Sequence, residues 1–133
     1  MRQKLTTAKN TLHLNLKKQW FEMILSGVKK EEYRDFKEYW LKRFLYHIQG
    51  NDIGCFIYYE DYKGVISKLL SIGIIKWKHF DTIIFSSGYA KDRKQFEIEL
   101  NHIRVGEGNE EWGAKKGTNY FALSLGKILQ KNF

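Results

Sequence analysis

The stretch "SGVKKEEYRD" (26–35) places Gly27, Lys29, Glu32 and Arg34 close together along the chain. Two cations and a carboxylate at this spacing can hold a phosphate or pair with one another. If the lysine loses its proton, it can also attack a carbonyl. The competing structural reading is a solvated charge run whose surface ion pair is worth about 0–1 kcal/mol. In an extended segment Glu32 and Arg34 share one face and Tyr33 points to the other, whereas Lys29 has the opposite parity and joins them only from within a turn. A neighbouring arginine works against the charged form of Lys29, and a neighbouring glutamate favours it. With Glu32 close, Lys29 is a charged anchor for phosphate or for a base carbonyl, and Arg34 is a fork for phosphate.

The elements around these residues can be read from hydrophobic period. "TLHLNL" (11–16) alternates Leu12, Leu14 and Leu16 with polar residues, as a half-buried strand does. From Lys17 the period changes to helical, with Trp20, Phe21, Ile24 and Leu25 on one side, and Gly27 stands where a left-handed cap stops a helix. "KKEEYRD" then leads away as an edge strand. A second helix is expected over 38–49, with Trp40, Leu41, Phe44 and Ile48 on one face. Residues 54–60 read as a strand and 62–73 as a helix. "DTIIFSSGY" (81–89), "KQFEIELNHIRVG" (94–106) and "NYFALSLG" (119–126) are strand-like, the latter two with clear alternation. Antiparallel strands with helices concentrated in the first half predict an α+β domain, a small curled sheet or barrel flanked by short helices. "GEGNEEWGAKKG" (106–117) is a long glycine-containing connection of the kind that often carries function.

Composition narrows the classes. The 133 residues are 43% hydrophobic and 16% aromatic, enough for one domain with its own core. Cys55 is the sole cysteine, which excludes an intrachain disulfide and favours a reducing compartment. The segment "MRQKLTT" (1–7) lacks the apolar stretch of a secretory leader, and no apolar run is long enough for a membrane span, so a soluble, cytoplasmic protein is expected. Twenty-three Lys and Arg against 15 Asp and Glu give a net charge of +8, which favours a polyanionic partner, nucleic acid first. Lysine dominates that excess, so the attraction is diffuse.

Aromatic side chains beside basic ones can stack unpaired bases at about 1–3 kcal/mol per base. Trp20 and Trp40 lie in helical apolar stripes and are expected in the core. Tyr89 and Trp112 lie in glycine-containing turns and are the better site candidates, while Ser86 and Ser87 can hydrogen-bond a ligand or cap a turn. Glu97 and Glu99 are possible general bases but read as the solvent face of their strand; Glu107, Glu110 and Glu111 are further candidates. The four histidines lack metal-ligand spacing, and no Walker or Rossmann glycine pattern occurs, so neither a metal nor a cofactor is expected.

Gly27, Lys29, Glu32 and Arg34 form G-x-K-x-x-E-x-R directly after a strand and short helix, which resembles the signature of the ASCH domain, a PUA-like family. The resemblance extends in order through "LHLNLKKQWFEMILSG", "YW" (39–40) with "KRF" (42–44), "FDTIIFSSGY", "EWGAKKGTNYF" and "LSLGKI". It covers most of the chain as a single domain over 1–133, with residues 50–78 as a divergent or inserted segment. The family implies a PUA-like β-barrel of mostly antiparallel strands with a cleft beside the first helix, in a superfamily associated with RNA and modified bases. Lys29, Glu32 and Arg34 would form that cleft, with Ser87, Tyr89 and Trp112 among its ligand-binding residues. Some members resemble nucleases. One bacterial branch consists of amidohydrolases of N4-acetylcytidine, in which the motif lysine is nucleophile or base, a threonine stands at the position of Glu32, and a distal glutamate assists. The resemblance therefore implies binding of RNA or a modified nucleoside, with hydrolysis through Lys29 and Glu32, either N4-acetylcytidine amidohydrolase-like or ribonuclease-like, as the alternative.

Overall fold

The computed structural model describes residues 2, 5, 10–48 and 62–133. The strand expected over 54–60 lies outside them. The fold is α+β, with a mixed five-stranded sheet, a two-stranded sheet and a few short helices. In chain order the elements are β1 (Thr11–Leu16), α1 (Lys18–Leu25), β2 (Glu31–Asp35), α2 (Glu38–Phe44), β3 (Leu45–His47), α3 (Tyr62–Ser71), β4 (Ile75–Trp77), β5 (Thr82–Ser87), β6 (Gln95–Glu107), a 3-10 turn (Glu110–Trp112) and β7 (Asn119–Lys131). The larger sheet runs β1-β5-β6-β7-β2, which puts β2 at an edge. β1 pairs with β5 in parallel and β5 with β6 antiparallel. No helix among the described residues is long and apolar enough to cross a membrane.

The chain divides into two compact units, Met1–Glu32 with His79–Ile103 and Leu123–Phe133, and Tyr33–Lys78 with Arg104–Ala122. In the first, the alternation of β1 is realised: Leu12, Leu14 and Leu16 are buried, and Leu12 and Leu14 lie opposite Ile83 and Phe85 of β5. α1 turns Phe21 and Ile24 inward, and the Phe21 ring meets Phe96 of β6 edge-on at 4.8 Å. Each such side chain contributes about 1.5–3 kcal/mol by leaving water.

In the second unit Phe121 of β7 is the aromatic hub, with Phe36 at 4.6 Å, Phe44 at 5.2 Å and Trp77 at 5.9 Å between ring centroids. The helix expected over 38–49 ends at Phe44. Leu45 is extended (φ −126°, ψ 153°), and Leu45–His47 pair with Ile75–Trp77. Leu45 and His47 are buried and Tyr46 is exposed, so these residues follow the period of a strand. Ile48, expected on the helix's apolar face, is exposed.

Candidate functional site

The first unit builds one corner from the end of α1. Ser26 N–H donates to the Glu22 carbonyl and Gly27 N–H to that of Ile24. Gly27 has φ +85°, the left-handed conformation that glycine takes without a Cβ penalty. The chain then curls back until Lys29 N–H donates to the Met23 carbonyl at 3.0 Å. Lys29 thus belongs to the turn, the one placement from which its side chain can meet Glu32.

Lys29 is buried, and its Nζ lies 3.3 Å from Glu32 Oε1, with side-chain exposures of 1% and 8%. The same ammonium sits 4.8 Å from the centroid of the Trp20 ring. A lysine at this depth persists only when its charge is matched, because an unpaired buried ammonium loses its hydration without replacement. Here a carboxylate and an aromatic face supply the match; the ring attraction contributes about 2 kcal/mol once water is excluded. The surface ion pair worth little is therefore not what the chain builds. Lys29 also lines a pocket of about 270 Å³ with Gly27 and Lys30, walled by Ile24, Leu125 and Ile128. The exposed cation of that lining is Lys30, which with the apolar walls suits a flat, polar-edged ligand.

Arg34 belongs to the second unit. Its guanidinium carbon lies 5.0 Å from the Trp40 ring centroid. Trp40 in turn stacks on Phe44 at 5.4 Å and 18°, and Tyr39 meets it edge-on at 4.7 Å. Tyr39 is 64% exposed, which leaves an aromatic face open to solvent beside Trp40. Behind Arg34 the Tyr33 hydroxyl accepts the Asn109 N–H at 2.9 Å, and its ring packs on Tyr120. A Cβ at Gly108 would come within 2.5 Å of that ring.

Of the residues singled out by sequence, the structure brings Lys29 and Glu32 together. Ser87 ends β5 and lines a different pocket from Lys29. Tyr89 follows Gly88 (φ +76°) and is 85% exposed. Trp112, partly buried, ends the 3-10 turn in the second unit, where the Asn109 side chain accepts the Glu111 N–H. Ser86 is not a turn cap but a buried strand residue whose hydroxyl accepts from Gln95 Nε2 at 2.9 Å. Glu97 is not on a solvent face. It is buried, accepting from Thr82 Oγ1 at 2.6 Å and Gln130 Nε2 at 2.8 Å. Because the Thr82 proton is committed to Glu97, Thr11, 3.1 Å away, is the donor to Thr82. No cluster of metal-ligand side chains occurs among the described residues.

Sequence reasoning missed Trp20 and Trp40, expected in the core. Both are only partly buried, and each carries one cation of the motif. The available signal was their position at the border of an apolar stripe, next to a turn or strand rich in cations. Comparison of the chain with family models, with curated proteins and with solved structures gives no match.

Proposed function

We propose that this chain is an ASCH-type domain with a PUA-like barrel, working in the cytoplasm and binding RNA or a modified nucleoside through Lys29, Glu32 and Arg34. The observation that carries the reading is the buried Lys29–Glu32 pair over Trp20: a preorganised charge beside an aromatic face and a pocket, which costs stability to build and is out of place on an idle surface. Arg34 on Trp40, with exposed Tyr39, supports a second contact of the same chemistry, stacking for bases and charge for phosphate. The net charge of +8 supports attraction to a polyanion. Titration of a short single-stranded RNA at low and high salt tests this; affinity should fall steeply with salt as phosphate contacts release counterions. Equal affinity at both salts would point instead to an uncharged small ligand.

The rival reading is hydrolysis of an acylated base or of RNA. It is favoured by the same proximity, since Glu32 is close enough to take a proton from Lys29. The ion pair supports binding over hydrolysis, because a paired ammonium has no lone pair with which to attack a carbonyl.

A further inference from the structure

α1 presents two stripes to two different pockets. Ile24 lines the pocket of Lys29, whereas Lys18, Phe21, Glu22 and Leu25, spaced i, i+3, i+4 and i+7, line a second pocket of about 330 Å³. The second pocket is completed by Ser87, Lys94 and Phe133, all within the first unit. Its aromatic wall is fixed in place. Phe133 lies 6.1 Å from Phe21, and the preceding Asn132 is tied down by its N–H to the Gln95 carbonyl, its Oδ1 accepting the Gln95 N–H at 2.8 Å, and its Nδ2 to the Arg93 carbonyl.

Two ammonium groups, Lys94 Nζ and Lys131 Nζ, each lie 5.4 Å from the Phe133 ring centroid. Lys94 also lines the pocket, so one of these ammonium groups can meet an anion bound there. The volume lies at the small end of the range of about 300–1,000 Å³ for ligand pockets, room for one nucleotide and no more. The apolar wall suits a flat ring, Lys18 and Lys94 suit a phosphate, Glu22 accepts from an amine, and Ser87 can donate or accept.

We propose that this pocket binds a nucleoside monophosphate whose base carries an exocyclic amine, lying on the Phe133 wall with its amine toward Glu22 and its phosphate toward Lys94. The site stands apart from the Lys29 motif and does not depend on its function. The test is an amide-resolved NMR titration of the full chain with adenosine 5′-monophosphate, adenosine and inosine 5′-monophosphate, in which inosine replaces the amine with a carbonyl. Saturable shifts are expected at Ser87, Lys94 and Phe133 with the adenosine monophosphate. Weaker binding is expected for adenosine, and for the inosine monophosphate a loss that Glu22→Gln removes. Lys94→Glu should raise the midpoint about tenfold, which corresponds to about 1.4 kcal/mol. A 5′-phosphorylated trinucleotide in a parallel titration separates the sources: saturation by the free nucleotide identifies a metabolite, saturation by the trinucleotide alone identifies a strand end, and either supports the site. No saturable shift with any of these, or an unchanged midpoint in a Lys94→Glu protein with a parent-like spectrum, overturns it. Shifts at Lys29 and Glu32 report the motif's own site separately, so the two readings can fail independently.

Discussion

Lys29 and Arg34 belong to one motif yet are held by opposite means. Lys29 is sealed in, paired to Glu32 and faced by Trp20, while Arg34 lies partly exposed on Trp40 with solvent-facing Tyr39 alongside. The difference teaches how burial decides what the loss of each cation costs the fold. A buried pair cannot lose one partner without stranding the other, so a change at the Lys29 corner is felt by the fold around it. The Arg34 corner can lose its cation and keep its fold, because the ring beneath is supported by Phe44.

The largest effect should follow from breaking the sealed pair. Lys29→Met leaves Glu32 buried without its cation and should destabilise by about 3–5 kcal/mol, read by urea unfolding. Adding Glu32→Leu should recover most of that loss, since the stranded charge goes with it. A double variant as unstable as the single one would show that packing, not charge, holds this corner.

The next effect concerns the second unit's dependence on close approach. Gly108→Ala would push a methyl into the Tyr33 ring, with contacts of 2.5 and 2.6 Å, and into the Ala114 methyl at 2.8 Å. A loss of about 1–3 kcal/mol is expected, since ring and backbone must both shift. Unchanged thermal unfolding would mean that Tyr33 moves aside freely. In the first unit, Glu97→Ala should cost about 1–3 kcal/mol in the same measurement by leaving Thr82 and Gln130 without their acceptor.

The smallest effect on stability, and the sharpest contrast with Lys29→Met, is expected from Arg34→Ala. The cation–π contact at a partly exposed site is worth about 0.5–1 kcal/mol, so unfolding should barely change. RNA affinity should nevertheless drop and its salt dependence flatten by about one phosphate contact. Loss of stability matching that of Lys29→Met would erase the distinction between the two corners.

How much of this was legible in the sequence follows from which residues answer to local rules. β1, α1, the Gly27 turn and the edge strand β2 follow from period and from glycine, and Lys29 could meet Glu32 only from a turn, which is where it stands. The end of α2 was not legible, because Leu45–His47 take their conformation from a partner at Ile75–Trp77 that is distant in sequence. Glu97 was misplaced because alternation assumes one wet face. In β6 the residues Gln95, Phe96, Glu97 and Ile98 are all buried, with Phe96 against Phe21 and Glu97 held by hydroxyl and amide groups from flanking strands. The roles of Trp20 and Trp40 were hidden because a cation over a ring is a tertiary contact, invisible to a helical wheel.

The central claim is that Lys29 is a charged anchor and not a nucleophile. It is tested most directly by incubating the protein with N4-acetylcytidine and following both ligand binding and acetate release. The account predicts saturable binding with no acetate above the protein-free control. Sustained release of acetate that is lost in a Lys29→Ala protein whose spectrum shows it folded would contradict it, making Lys29 the attacking group and Glu32 the acceptor of its proton.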